Sequence, residues 1–69
     1  MFFIFTHNNQ KVFEGVLKEH ALKISKHIQL NPNDSFCLKI VKPLKTKLKV
    51  IKEMTNTCDI TEYCLYSLF

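Results

Sequence analysis

Residues 17 to 30, LKEHALKISKHIQL, constrain the fold of this chain most. Leu17, Ala21, Ile24 and Ile28 recur at steps of four, three and four, which lines them up along one face of a helix. Glu19 falls in the first turn and Lys26 and His27 near the last, the charge order that a helix dipole favours. Glu19 and Lys23 add a favourable i,i+4 pair. Asn31-Pro32 ends the run, because the residue before a proline resists the helical conformation. Leu22 lies off the stripe and is expected in solvent, on an outer face with Lys18, Lys23 and Lys26. A single apolar stripe cannot bury itself, so the rest of the chain must supply its partner.

The flanking segments have strand character. FFIFT, residues 2 to 6, is aromatic and β-branched. HNNQ follows, with two asparagines that tolerate positive φ. KVFEGVL, residues 11 to 17, alternates as a returning strand, and Gly15 near its end allows a bulge or bend. After the NPND loop, SFCLKIVK places Phe36, Leu38 and Ile40 on one face and Cys37, Lys39 and Val41 on the other.

VKPLKTKLKVIK, residues 41 to 52, fits two periods. Read as a strand, it turns Thr46, Leu48 and Val50 to the core and Lys45, Lys47 and Lys49 to water. Read as a helix, it starts at Pro43, with Val41, Leu44, Leu48 and Ile51 as its stripe. The closing ITEYCLYSLF, residues 60 to 69, is rich in strand formers, while Asp59 and Glu62 have capping-box spacing. The expected fold is α+β: one domain over residues 1–69, with one helix on an antiparallel sheet in the order β-β-α-β-β-β. The alternative is a helical C-terminal third. In the all-strand version Lys39, Lys47 and Lys49 share the uncovered sheet face with Val41 and Ile51.

A chain of 69 residues supports one small core, and eight aromatic residues help to fill it. Three cysteines, Cys37, Cys58 and Cys64, make a poor disulfide framework, so free thiols in a reducing compartment are expected. MFFIF is too short for a signal segment and no run reaches membrane-spanning length. The expected location is the cytoplasm, without membrane association.

The net charge of +4 favours acidic partners: nucleic acid, a nucleoprotein, or an acidic protein face. All ten basic residues are lysine. Base-specific readout relies on bidentate arginine, so a sequence-specific DNA reader is disfavoured, and non-specific backbone attraction or protein binding remains. The candidate contact residues are Lys39, Lys45, Lys47 and Lys49 on the ribbon, and Lys18, Leu22 and Lys26 on the helix. No metal or cofactor is expected: His20 and His27 would sit about 10 Å apart along a helix, and Cys58 and Cys64 lack zinc-knuckle spacing. Six scattered carboxylates, no glycine-rich phosphate loop and no evident cysteine–histidine cleft point away from an enzyme. A monomer or homodimer is expected.

Two resemblances add to this reading. FEGVLKEHALKISKHI, residues 13 to 28, resembles the strand-to-helix passage of small phage-encoded anti-CRISPR proteins, with Glu14-Gly15, Glu19 and Lys26-His27-Ile28 in matching places once one residue is deleted. That resemblance implies a non-enzymatic phage or mobile-element protein that docks on a CRISPR effector nucleoprotein in the host cytoplasm and blocks nucleic-acid or nuclease function. It assigns no individual binding residue. The alternatives are a nucleic-acid-binding module that uses a lysine-rich sheet face, or a small structural or assembly domain. KLKVIKEMTNTCDI, residues 47 to 60, resembles the first helix and turn of the ribosomal stalk protein's C-terminal domain, through Lys47, Val50, Ile51, Lys52 and Ile60. It departs at Thr55, Asn56 and Asp59, where that family has a basic residue and turn glycines. It implies a helix over residues 44 to 56.

Overall fold

The computed structural model describes residues 2–68. Its elements run β1 (Phe2–His7), β2 (Gln10–Val16), α1 (Leu17–Leu30), β3 (Phe36–Pro43), β4 (Leu48–Met54) and α2 (Thr57–Tyr66). The strands form one antiparallel sheet in the order β2-β1-β3-β4.

The β1–β2 hairpin closes as its asparagines suggest. Asn8 and Asn9 take φ of 52° and 67°, both positive, and His7 pairs with Gln10 across them. The register slips once: Phe5 pairs with Phe13 but Thr6 pairs with Lys11, so the bulge lies at Val12 rather than at Gly15. Gly15 instead supplies a φ of +129° just before α1, a conformation that side chains resist.

Helix α1 buries Leu17, Ala21, Ile24 and Ile28, the expected stripe, and leaves Leu22 in solvent. At its end the Asn31 amide donates to the Ile28 carbonyl and its side-chain Nδ2 to the His27 carbonyl. The chain from β2 through α1 returns as β3 on the far side of β1, which becomes an inner strand.

The strand expected within residues 41 to 52 forms as β4, and only the C-terminal segment departs from the expected order. The sixth element is a helix, so the order is β-β-α-β-β-α and two helices cover the sheet. Phe69, at the end of the expected last strand, lies outside the described residues. Asn56 caps α2, its Oδ1 accepting from the amides of Cys58 and Asp59. The cap and its acidic partner are therefore Asn56 and Asp59, three residues before the Asp59/Glu62 spacing. The helix is held by that cap and by packing: Ile60 and Cys64, about one turn apart, are both fully enclosed in the core shared with α1 and the sheet. The helix implied for residues 44 to 56 is absent, since residues 48 to 54 are strand β4.

Both helices lie on one face of the sheet. A single core joins Phe3 and Phe5 of β1, Phe36, Leu38 and Ile40 of β3, Met54 of β4, the α1 stripe, and Ile60 and Cys64 of α2. Among the described residues no helix lies over the opposite face.

Candidate binding face

Strand alternation and register assign the uncovered face row by row. Val16, Phe2, Val41 and Val50 form one row across all four strands, and Pro43–Leu48 extends it toward the β3–β4 turn. The next row is Glu14, Ile4, Lys39 and Glu53; beyond it stand Lys11, Thr6 and Cys37. One end of this face is thus apolar and the other mixed and charged.

The apolar end is partly open to water. Phe2 is 46% exposed, Leu48 55% and Val50 47%, while Val41, set between Phe2 and Val50, is buried. Leu48 and Val50 do not face the core, contrary to the strand reading of the sequence. Ile40 pairs with Lys52 and Val41 with Val50, which leaves Ile51 as an extra residue. The bulge reverses which face each side chain of β4 takes, so only Met54 reaches the core. A pit of about 240 Å³ opens at this end, lined by Phe2, Ile4, Val41, Pro43 and Leu48, with Glu14 on its rim.

The lysines are distributed differently from the sequence expectation. Lys45 and Lys47 lie in the turn between β3 and β4, which the Leu44 amide closes by donating to the Lys47 carbonyl at 2.7 Å. Lys49 stands directly opposite Lys42, on the reverse side of the ribbon. Of the three lysines expected on the open face, only Lys39 is there, and it faces Glu53. Between residues 39 and 52 the chain carries six lysines and no acidic residue. The carboxylate contacts among the described residues, the Lys11–Glu14 ion pair at 3.0 Å and the His7–Asp34 hydrogen bond at 2.6 Å, lie outside this tip. Lys52, on the helix side, stands 5.0 Å over the Tyr63 ring. Lys18, Leu22 and Lys26 are exposed on α1, across the sheet from the open face, so the two predicted contact groups form separate surfaces.

Sequence reasoning missed one polar cluster. His7 Nε2 lies 2.6 Å from the Asp34 carboxylate and its Nδ1 3.0 Å from Nε2 of His27; with Nε2–H donating to Asp34, a neutral His7 can accept from His27 through Nδ1. The His7 ring stacks on Phe36, with centroids 4.8 Å apart, and His27 sits edge-on to Phe5, Phe13 and Phe36. The chain of contacts ends in that aromatic cage, and it ties β1, α1 and the loop before β3 together. Asn8 reinforces the same junction, its amide donating to the Ser35 carbonyl and its Oδ1 accepting from the Ser35 amide. No local spacing announces the cluster, because His7 and Asp34 are 27 residues apart. His20 packs beside Phe3 and Phe13, its Nδ1 hydrogen-bonded to the Val16 carbonyl.

The thiols are all unpaired. Burial pushes the Cys64 thiol up to about 11. Burial, then the neighbouring Glu53 carboxylate, raises Cys37. Both effects keep a thiol neutral and weakly nucleophilic. Among the described residues no group of three or more histidine, cysteine, aspartate or glutamate side chains could hold a metal ion, and no helix is long and apolar enough to cross a membrane.

Comparison with protein-family models, with curated proteins and with solved structures finds no match for this chain.

Proposed function

We propose that the protein is a non-enzymatic binding protein that docks on an acidic surface of a protein or nucleoprotein through its open sheet face and the β3–β4 tip. One observation carries this reading: an uncovered apolar strip runs into a tip where Lys42 and Lys49 face each other and Lys45 and Lys47 fill the turn. Directly opposed like charges cost a free protein stability, and an anionic partner relieves that cost. Such charges also speed encounter and set orientation. The resemblance of residues 13 to 28 to anti-CRISPR proteins gives the partner a class. It is a CRISPR effector nucleoprotein in the host cytoplasm, whose nucleic-acid or nuclease surface the bound protein obstructs.

The test is phage plating on bacteria that carry defined CRISPR systems and express the protein. Wild type should restore plating against at least one effector type. The Lys45→Glu/Lys47→Glu/Lys49→Glu variant should fail to do so while melting like wild type. If no effector type is inhibited, the assigned partner class is wrong. If the triple variant protects phage as well as wild type, the tip is not the contact surface and the α1 face with Lys18, Leu22 and Lys26 becomes the candidate.

A second reading, a non-specific nucleic-acid-binding module, draws on the exposed Phe2 ring beside the lysine tip. Its signature is affinity for single strands that falls steeply as salt rises.

A further inference from the structure

We propose that the pit at the Phe2–Val41–Leu48 corner of the open face receives an apolar side chain from an acidic segment of a protein partner. The proposal rests on the reading that the open face is the docking face, and it names what the partner must present there.

Shape and lining come first. The pit measures about 240 Å³, and a buried apolar cavity of about 150 Å³ already accepts a benzene ring. Its lining is mostly apolar, with Phe2, Ile4, Val41, Pro43 and Leu48 joined by Phe3 and, from β2, by Glu14 and Gly15. Water in such a place finds few hydrogen-bonding partners, so its replacement by an apolar group is favourable. Pro43 brings no N–H to the rim. Glu14, the polar side chain at the edge, is already paired with Lys11 at 3.0 Å.

Charge selects the occupant. On the Glu14 side the lysine and carboxylate offset each other, and farther along the face Lys39 stands opposite Glu53. Uncompensated positive charge lies on the other side, in the turn at Lys45 and Lys47, while Lys42 and Lys49 stand on the reverse side of the same ribbon. A segment whose anchor enters the pit and whose neighbouring residues are acidic satisfies both features, with its carboxylates directed to the tip. A second copy of this chain does not, because it carries the same +4 charge. A nucleobase fits less well, since its N–H and carbonyl edges would enter an apolar pit without new partners.

The experiment follows backbone amides of the labelled protein by NMR during titration with 3-phenylpropionate, 2-phenylethylamine and thymidine monophosphate. The first probe joins an aromatic ring to a carboxylate, the second joins it to an ammonium, and the third supplies a base with a phosphate. Expected are shifts confined to Phe2, Ile4, Val41, Leu48 and the 44–47 turn with 3-phenylpropionate. Its affinity should exceed that of the amine by about fivefold, the factor that an exposed charge pair supplies. The preference should reverse in the Lys45→Glu/Lys47→Glu/Lys49→Glu variant, and Leu48→Gln should weaken ring binding. Tighter binding of the nucleotide overturns the proposal in favour of nucleic acid. Absence of shifts at the pit, or equal affinity for acid and amine, overturns it outright. If the pit fails while the lysine variant still loses phage protection, this inference alone is lost. If the pit binds as expected but neither variant alters protection, the docking reading falls and the site stands.

Discussion

Ile60→Ala is the sharpest test of the C-terminal architecture. Ile60 is fully buried between α2, α1 and the sheet, whereas Leu65 on the same helix is 42% exposed. The change deletes three carbons, worth about 2.4 kcal/mol at about 0.8 kcal/mol each. The cavity left behind places the total at about 2–5 kcal/mol. At about 0.05–0.15 kcal/mol per residue, a chain of 69 residues has only about 3–10 kcal/mol to lose. With a urea slope of about 1 kcal/mol/M for so small a domain, the midpoint should fall by about 2 M or more, or the protein should be unfolded without denaturant. Leu65→Ala is the internal control and should cost less than about 1 kcal/mol. The assay is urea titration followed by far-ultraviolet circular dichroism, with thermal melts as a second probe. Equal costs for the two variants, or a loss below about 1 kcal/mol for Ile60→Ala, would refute the docking of α2 by its Ile60–Cys64 face.

Other outcomes follow from particular contacts. Ile24→Ala, at the centre of the α1 stripe, should also cost about 2–5 kcal/mol in the same titration; a melt like wild type would show that the stripe is not the core. Asn56→Ala removes the acceptor for two amides and should cost about 1 kcal/mol, with Asn56→Asp restoring most of it. Leu48→Asp, on the open face, should leave the fold intact, whereas Leu38→Asp should unfold it; exchange of those results would mean that β4 is assigned to the wrong face. With iodoacetamide at pH 8, mass spectrometry should find Cys58 modified first, Cys37 later, and Cys64 only on unfolding. Folding holds Cys64 neutral, so its contribution to stability is intact below the ordinary 9.0 and is lost as pH rises toward about 11. Alkaline destabilisation in that window should shrink in a Cys64→Ala variant.

The candidate face was only partly legible in the residues. Lys45, Lys47 and Lys49 are as exposed as their spacing suggests, yet their positions on a turn and on the reverse of the ribbon come from the start of β4 at Leu48 and from the bulge at Ile51. The pit draws on β1, β2, β3 and β4 at once, and the His7–Asp34–His27 cluster joins residues up to 27 positions apart. Local patterns carry no information about such meetings.

What the sequence determined by itself is the part governed by short-range physics. Two asparagines set the hairpin turn because they accept positive φ. The four-three-four stripe set α1 because only one period fits it, and alternation at Phe36, Leu38 and Ile40 set β3 for the same reason. From residue 44 onward the local terms nearly balance, because apolar residues recur at positions that satisfy a strand and a helix equally. Tertiary structure broke that balance. Residues 57 to 66 became helical because a four-residue step lets Ile60 and Cys64 meet α1 and the sheet together, and residues 48 to 54 became an edge strand because β3 offered a free row of backbone partners. With both helices on one face, nothing remained to cover Phe2, Leu48 and Val50, so the exposed apolar corner follows from how the layers were allotted, which no local pattern records.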